Sequence, residues 1–518
     1  MKRIGLLLLA VIMLVGCVYS AAAEDTLVYA STFVAGTDGW YARGAQKVYR
    51  TTEETLRTEG RTSDWHSPGR DFDLVEGGVY VLSVEVFQDE ADNASFMISI
   101  AHSKDGTETY ENLARGTAKR GEWVTLTGTY TAGNFDRNVL YVETTGSPEL
   151  SYEIRNFRVE APNGVPEPKA TEPPMVIEAV ENLPGLKNAY AGKFDFGAAV
   201  PGYAFGDPGL KQLMTEQFSI LTPENELKPD AVLDVAASKR LAQEDETAVA
   251  VHFDGAIPLL NFARDNGIRV HGHVLIWHSQ TPEAFFHEGY DTSKPLVSRE
   301  VMLGRMENYI REVLTWTNEN YPGVIVSWDV VNEAIDDGTN WLRNSNWYKT
   351  VGGDFVNRAF EFARMYAADG VLLYYNDYNT AYPAKRKGII KLLGQLIEEG
   401  NIDGYGFQMH HSTGEPSMEM ITASVEEIAA LGIKLRVSEL DVGMGSSMTE
   451  EALMKQKDKY KAVMELMLRF ADQTEAVQVW GLTDNMSWRT GQNPLLFDRN
   501  RNPKPAFFGV LEAAEESK

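Results

Sequence analysis

Two short apolar runs of this chain end on glutamates, Glu333 and Glu439. In both runs β-branched residues dominate until the carboxylate appears, which is typical of a buried strand with an acid at its tip. Glutamate is among the residues least often fully buried, so such a glutamate needs a partner or a chemical task. One alone could be a paired surface or loop acid. Two of them, about a hundred residues apart on similar strand ends, indicate the paired-carboxylate chemistry that cleaves glycosidic bonds.

Length and charge restrict the class of protein. At 518 residues the chain is too long for one ordinary core, so two domains are expected. Its 74 Asp and Glu residues against 48 Lys and Arg residues give a net charge of −26. Nucleic-acid binding requires a basic surface, so we expect no nucleic-acid partner. The excess of acidic residues fits a soluble protein that acts on a neutral or weakly charged polymer.

Residues 1–23 have the pattern of an export signal. A basic start precedes an apolar run, Ile4 to Val15, that is too short to span a bilayer. The run leads to Cys17, the single cysteine, which therefore has no partner for an internal disulfide. This pattern resembles a bacterial lipoprotein signal with lipidation at Cys17; ordinary cleavage after Ala23 is the alternative. Both interpretations predict an exported protein, and the first predicts a cell-surface lipoprotein whose membrane contact is the lipid anchor.

A proline-rich stretch at residues 161–176 divides the rest of the chain. Its prolines, mixed with Glu, Lys and Thr, predict a semi-rigid spacer. Before it, residues 25–160 contain short alternating runs separated by Gly, Asn and Asp turns, without a long helical pattern. These features predict an all-β sandwich of jelly-roll type.

From residue 177 to residue 515, strand-like runs alternate with helical stretches, which is the pattern of an α/β domain. Eight such runs are present, at residues 194–200, 219–225, 269–277, 324–333, 371–377, 404–410, 434–441 and 476–484. Eight strands with helices between them predict a (β/α)8 TIM barrel. A doubly wound sheet is the competing architecture, but no glycine-rich phosphate loop follows any of the runs.

Polar and aromatic residues gather at the carboxyl ends of these runs. The carboxyl ends of barrel strands converge on one face, where barrel active sites are built. The residues are Glu224, Asn225, Lys228, His271, His273, Trp277, His278, Asn332, Glu333, Asn376, Asp377, Tyr378, Gln408, Met409, His410, His411, Glu439, Asp441 and Trp480, followed by Trp488. Any one of them could be a satisfied core or loop group, but their coincidence on seven runs predicts one catalytic face.

A histidine cluster in the third run could suggest a metal. It comprises His271, His273 and His278. Only His271 and His273 share a strand face, and no nearby carboxylate completes a site. We therefore expect no metal and no cofactor.

Six segments of residues 177–515 resemble the family-10 glycoside hydrolases, the endo-β-1,4-xylanases. In family order they are TPENELK (222–228), GHVLIWHSQ (272–280), WDVVNEA (328–334), GFQMH (406–410), SELD (438–441) and WGLTD (480–484). The resemblance implies a retaining mechanism on xylan with Glu333 as general acid/base and Glu439 as nucleophile. It also implies that His410 and Asp441 hold the nucleophile and that Asn332 holds the sugar 2-hydroxyl.

The same resemblance implies a set of sugar-binding residues along the groove. They are Glu224, Asn225, Lys228, His273, Trp277, Gln280, Tyr378, Gln408, Trp480 and Trp488. The chain departs from the family at Pro229, where many relatives have Trp, and in an extra stretch that continues to about His252. These departures lie at the rim of the groove, so the subsite preferences stay open.

Residues 25–160 resemble the family-22 carbohydrate-binding modules at segments 39–44, 60–65 and 140–143. The resemblance implies a xylan-binding groove lined by Arg43, Trp65, Tyr110, Tyr141 and Glu143. The alternative is a sandwich that only stabilises or spaces the barrel, with Trp40 and Tyr141 in its core.

The leading hypothesis is an exported, monomeric endo-β-1,4-xylanase whose partner is xylan or a related β-1,4-linked plant cell-wall polysaccharide. One alternative is a broader β-1,4-glucanase or cellulase on the same barrel, because fold does not fix substrate. The other is a catalytically silent surface protein that binds glycans. The presence of both glutamates, His410 and Asp441 argues against the silent protein.

Overall fold

The computed structural model describes residues 27–34, 36–44, 46–104, 107–166, 174–180 and 182–517. The export signal with Cys17 lies outside the described residues, as does part of the proline-rich spacer. The chain divides into two compact units, with the division between Thr171 and Glu172. Within the described ranges, no helix is both long and apolar enough to cross a membrane.

The N-terminal unit consists of two antiparallel sheets. Its strands are β1 (Leu27–Ala30), β2 (Tyr41–Ala42), β3 (Lys47–Arg50), β4 (Leu56–Glu59), β5 (Pro68–Asp71), β6 (Val79–Phe87), β7 (Asn93–Lys104), β8 (Thr107–Lys119), β9 (Val124–Thr131), β10 (Arg137–Thr145) and β11 (Tyr152–Glu160). One sheet has the order β3-β4-β11-β6-β9 with β1 beside β11, and the other has the order β2-β5-β10-β7-β8.

The two sheets pack face to face through the apolar side chains on their inner faces. In β6 every second residue is buried, beginning with Tyr80, and Ile98 and Ile100 of β7 and Leu140 of β10 are buried as well. These side chains form one continuous core, which also contains Trp40. The predicted β-sandwich is therefore confirmed.

The C-terminal unit is a closed parallel barrel. Its strands are β12 (Asp195–Val200), β13 (Ile220–Pro223), β14 (Arg269–Gly272), β15 (Ile276–Trp277), β16 (Ile325–Asn332), β17 (Leu372–Asp377), β18 (Gly404–Phe407), β19 (His410–Ser412), β20 (Lys434–Gly443) and β21 (Thr474–Val479). The strand order is β14-β13-β12-β21-β20-β18-β17-β16-β15, and pairing of β14 with β16 closes the ring.

All eight predicted runs form strands of this barrel, so the predicted TIM barrel is confirmed. Two runs are interrupted: the third is split into β14 and β15, and the sixth into β18 and β19. In both cases the second piece pairs with a neighbouring strand, β16 and β20 respectively. The interruptions fall at the carboxyl end of the barrel, where the candidate site residues lie.

Helices cover the outside of the barrel. They are α1 (Leu186–Ala189), α2 (Pro208–Gln217), α3 (Pro229–Val232), α4 (Val235–Leu241), α5 (Ile257–Asn266), α6 (Arg299–Asn320), α7 (Asn346–Val351), α8 (Phe355–Tyr366), α9 (Pro383–Glu399), α10 (Met418–Ala429), α11 (Glu450–Arg469) and α12 (Pro505–Glu516). Short 3-10 helices span Gly202–Gly206, Glu283–Phe286, Glu288–Tyr290 and Asp484–Met486. The extra stretch after Lys228 forms α3 and α4, and an antiparallel β-bridge joins Leu233 to Val251.

Candidate active site

The two glutamates are positioned by β16 and β20. Glu333 directly follows β16, and its backbone is in the left-handed region, with a φ of 55°. Glu439 lies within β20 and is only 5% exposed. A residue other than glycine rarely adopts a left-handed φ, and such strain is concentrated at functional sites.

His410 bridges Glu439 and Asp441. Its Nε2 lies 3.1 Å from Oε2 of Glu439, and its Nδ1 lies 2.8 Å from Oδ2 of Asp441. Burial by itself would lower the pKa of His410, but the charges and hydrogen bonds of Asp441 and Glu439 raise it to about 10. The ring is therefore an imidazolium at neutral pH, and it donates a hydrogen bond to each carboxylate.

Asp441 is completely buried and accepts hydrogen bonds from three side chains. Besides His410, the indole Nε1 of Trp488 donates to Oδ2 at 3.0 Å, and Nη1 of Arg489 donates to Oδ1 at 2.6 Å. Burial would raise the pKa of Asp441, but His410 and Arg489 lower it below its usual value. Asp441 is therefore a fixed negative charge behind His410, and it also anchors the loop that carries Trp488.

Glu333 accepts one hydrogen bond at each carboxylate oxygen. The indole Nε1 of Trp277 donates to Oε2 at 2.9 Å, and Nε2 of Gln408 donates to Oε1 at 2.9 Å. The Nδ1 atom of His278 lies 4.0 Å from Oε2. These contacts fix the orientation of the carboxyl group within the groove.

A chain of hydrogen bonds connects the two glutamates through Asn332. Gln408, which donates to Glu333, also donates to Oδ1 of Asn332 at 3.1 Å. Asn376 donates to the same oxygen at 3.1 Å and to Oε1 of Glu439 at 2.7 Å. Because the Asn332 oxygen accepts two bonds, its NH2 group is the end that can donate to a ligand.

Lys228 organises one wall of the groove. Its ammonium donates to Oδ1 of Asn225 and to Oε1 of Gln280, both at 2.9 Å, and lies 5.1 Å from the ring centre of Trp277. Burial lowers the pKa of Lys228, although Glu439 and Glu224 oppose this effect. Burial also raises the pKa of Glu224, against the opposing charge of Lys228.

His273 and Trp480 pack together beside this wall, with ring centres 5.4 Å apart. Nδ1 of His273 contacts Oδ2 of Asp329 at 2.9 Å, and Nε2 of His271 contacts the same oxygen at 3.0 Å. The neighbouring strand β16 supplies Asp329, so a carboxylate lies beside both histidines. Among the described residues, no group of three or more His, Cys, Asp or Glu side chains could hold a metal ion.

Tyr378 lies on the side of the groove near Glu333. Its hydroxyl accepts from Nη2 of Arg343 at 3.2 Å and donates to Asp337. Arg343 in turn donates from Nε to the backbone oxygen of Glu333 at 3.3 Å. The structure thus brings every barrel residue predicted for the site to the same end of the barrel.

Asn376 and His278 are among the strand-end residues of the sequence analysis but carry no predicted role, and Arg489 and Arg343 are not predicted at all, although each of the four contacts a predicted site residue. Asn376 precedes Asp377 at the carboxyl end of β17, so its position at a strand end was the available signal. Arg489 directly follows Trp488 in a loop, and Arg343 lies ten residues beyond Glu333. Sequence patterns carry little information about such loop contacts.

The predicted glycan-binding residues of the sandwich lie on and around the sheet of β5, β10, β7 and β8. The guanidinium of Arg43 stacks on the ring of Tyr141 at 3.5 Å, and Glu143 accepts a 2.7 Å hydrogen bond from Ser99. Tyr141 and Glu143 are two residues apart on β10 and therefore face the same side, away from the sandwich core. Trp65 and Tyr110 are 52% and 62% exposed.

A closed (β/α)8 barrel whose active-site face holds two glutamates and a ring of hydrogen-bonding and aromatic side chains is typical of glycoside hydrolases. The family model described as "Glycosyl hydrolase family 10" matches residues 185–513. The chain belongs to this family. A model described as "Carbohydrate binding domain" matches residues 25–149, so a carbohydrate-binding domain precedes the barrel.

Several similar proteins carry xylanase names. Over 339 residues the chain is 40% identical to endo-1,4-beta-xylanase B of Butyrivibrio fibrisolvens, covering 64% of this chain and 53% of that protein. Over 510 residues it is 30% identical to endo-1,4-beta-xylanase A of Thermotoga maritima, covering 94% of this chain and 46% of that one. The chain therefore spans about half the length of these curated relatives.

A solved structure covers both units. It is the N-terminal part of endo-1,4-beta-D-xylanase 10B of Clostridium thermocellum, described as CBM22-1 and GH10 modules complexed with xylohexaose. The identity is 28% and the TM-score is 0.60, and the match covers 94% of this chain and 97% of that one.

Proposed function

We propose that this protein is an endo-β-1,4-xylanase that hydrolyses internal bonds of xylan by a retaining double displacement. The observation that carries the proposal is the position of His410, which donates to both Glu439 and Asp441 while Trp277 and Gln408 orient Glu333. The names of the similar proteins support the substrate.

Glu439 is the proposed nucleophile. In the first step, an oxygen of Glu439 forms a bond to the anomeric carbon of the sugar, and the bond from that carbon to the glycosidic oxygen breaks. An attacking carboxylate must be ionised and must keep one orientation. The imidazolium of His410 donates a hydrogen bond to one oxygen of Glu439, and the amide of Asn376 donates to the other, so the carboxylate keeps one orientation.

Glu333 is the proposed acid/base. It gives its proton to the departing glycosidic oxygen and then takes a proton from the water that attacks the glycosyl-enzyme intermediate. That attack releases Glu439 and regenerates both groups. Trp277 and Gln408 support this role because they hold the carboxyl group while its proton comes and goes.

The sugar chain would bind along the wall formed by Lys228, Asn225 and Gln280. The ammonium of Lys228, the amides of Asn225 and Gln280 and the carboxylates beside them can hydrogen-bond to sugar hydroxyls. The rings of Trp277, Trp480 and Trp488 can stack on the apolar faces of pyranoses. The NH2 group of Asn332 is proposed to donate to the 2-hydroxyl of the sugar at the cleavage point, a contact that strengthens in the transition state.

The sandwich is proposed to bind xylan through Arg43, Trp65, Tyr110, Tyr141 and Glu143. The exposure of Trp65 and Tyr110 supports this role, since exposed aromatic rings can stack on sugars. Stacking of Arg43 on Tyr141 holds both side chains in place before a ligand arrives.

Reducing-sugar release from xylan and from soluble cellulose tests the proposal. Wild type, Glu439→Ala and the exposed-helix control Glu398→Ala should be compared. We expect rapid release from xylan, little from cellulose, loss of release in Glu439→Ala and normal release in Glu398→Ala. Equal release from both polymers would support the broader β-glucanase. Binding of xylan by wild type without release would support the silent glycan-binding protein.

We further propose that the protein is exported and anchored at the cell surface through a lipid on Cys17, acting as a monomer. The basic start, the apolar run and the position of the single cysteine support the anchor. Membrane fractionation of wild type and Cys17→Ser tests it: the anchor predicts release of the variant from membranes. Equal partitioning of both proteins would favour cleavage after Ala23, and light scattering would test the monomer.

A further inference from the structure

The strained backbone at Glu333 is held by one phenolic oxygen. With a φ of 55°, Glu333 turns the chain sharply away from β16, so the next two backbone N–H groups point back toward β17. The N–H groups of Ala334 and Ile335 both donate to the hydroxyl oxygen of Tyr375, at 3.0 and 3.2 Å. The N–H of Glu333 itself donates to the backbone oxygen of Asn376 at 2.9 Å.

Asp377 fixes the direction of these bonds. The single proton of the Tyr375 hydroxyl is donated to Oδ2 of Asp377, so the phenolic oxygen faces the two backbone N–H groups only as an acceptor. Asp377 is completely buried and is paired with the ammonium of Lys385 at 3.0 Å. Burial raises the pKa of Asp377 to about 6, against the opposing charge of Lys385.

Neither Tyr375 nor Asp377 can touch a substrate, because both side chains are 0% exposed. The hydroxyl of Tyr375 nevertheless contacts the backbone next to Glu333, and Asp377 contacts that hydroxyl. Loss of the hydroxyl would leave two buried N–H groups without an acceptor and would remove the support of a strained residue.

We propose that Tyr375, oriented by Asp377, is a positioning residue that holds the acid/base Glu333 in its left-handed conformation. The inference rests on the proposed function, since it assigns a task to Tyr375 only if Glu333 transfers protons. It predicts that removal of the hydroxyl weakens proton transfer to the leaving group and leaves nucleophilic attack by Glu439 largely intact.

Substrates with different leaving groups separate these two steps. An aryl xylobioside with a phenol leaving group needs protonation by Glu333, whereas a 2,4-dinitrophenyl leaving group departs without it. The value of kcat/KM reports formation of the glycosyl-enzyme in both cases. The ratio of the two kcat/KM values is independent of the fraction of folded enzyme, so partial unfolding of a variant does not obscure the result.

We expect Tyr375→Phe to lower the ratio of phenyl to dinitrophenyl kcat/KM by about tenfold or more, because general acid catalysis contributes about 10²- to 10⁴-fold. Azide should raise kcat of this variant on the dinitrophenyl substrate, since azide attacks the intermediate without needing a base. The matched control is Tyr405→Phe, because Tyr405 is also fully buried but its hydroxyl pairs with Thr380 at 2.6 Å.

The control should keep the wild-type ratio. An equal loss on both substrates in Tyr375→Phe, or a ratio like that of Tyr405→Phe, would overturn the positioning role. A wild type that hydrolyses neither xylobioside nor xylan would overturn the proposed function itself, and the inference with it. Failure of the positioning role leaves the wild type active, whereas failure of the proposed function leaves it inactive, so the wild-type measurement distinguishes the two.

Discussion

The side-chain amide of Asn376 donates a 2.7 Å hydrogen bond to Oε1 of Glu439. The same amide donates to Asn332, and its oxygen accepts from Ser438 at 2.6 Å. Asn376 is 0% exposed, so these bonds lie in a region without competing water. One buried amide thus orients both the proposed nucleophile and the residue proposed to hold the sugar.

Replacement of Asn376 by Ala should therefore lower kcat on xylan. We expect a loss of about 10²-fold, the scale of removing one preorganised donor from an active site, with a smaller change in KM. Steady-state kinetics on xylan, together with thermal unfolding, would measure it. The control is Asn320→Ala at the end of α6, where the exposed amide donates to the backbone oxygen of Trp316. Unchanged kcat in Asn376→Ala would contradict the assigned role.

The stability of the protein should depend on pH through His410. Its folded-state pKa of about 10 lies above the ordinary 6.5, so the contribution to stability is fully present below pH 6.5. It is lost as the pH rises toward 10, with a slope of at most about 1.4 kcal/mol per pH unit.

His410→Gln tests this dependence because glutamine does not titrate. Denaturant unfolding across the same pH window should give a steeper loss of stability for wild type than for the variant. Parallel curves for the two proteins would contradict the raised pKa.

Trp488 has two separable features: a flat ring that can stack on a sugar, and an indole N–H that donates a hydrogen bond. It is 58% exposed, and its N–H bonds to Asp441, which in turn holds His410. Trp488→Phe keeps a flat ring and loses the donor, so we expect kcat/KM on xylan to fall by about tenfold, the value of one hydrogen bond to a charged group.

Trp488→Ala loses both features and should reduce kcat/KM further. The control is Trp316→Phe, because the ring of Trp316 stacks on Phe253 outside the site. If Trp488→Phe matched wild type while Trp488→Ala did not, the bond to Asp441 would have no part in catalysis.

Binding of xylan by the sandwich should depend on Trp65. In the full chain carrying Glu439→Ala, which prevents hydrolysis, Trp65→Ala should weaken adsorption to insoluble xylan by about tenfold, or 1.4 kcal/mol. Trp123→Ala is the control, because Trp123 contacts Arg155 and Phe87 on the other sheet. Equal adsorption of all three proteins would favour a sandwich that only stabilises or spaces the barrel.

The strand runs and their order were readable from the sequence because buried parallel strands are continuous apolar runs between helices. Glu333 and Glu439 were found for the same reason, since a carboxylate at the end of such a run is conspicuous. Asp329 was overlooked because it lies inside a run, where only the pairing of β14 with β16 brings it to His271 and His273. Arg489 and Arg343 come from loops, whose conformations leave no periodic signal.

Trapping the glycosyl-enzyme intermediate tests the central claim most directly. A 2-deoxy-2-fluoro xylobioside with a good leaving group should inactivate the protein and add one 2-deoxy-2-fluoro xylobiosyl unit, which peptide mass spectrometry should locate on Glu439. A label on another carboxylate would contradict the assignment of the nucleophile. Release of products with inverted anomeric configuration, without any label, would contradict the retaining mechanism.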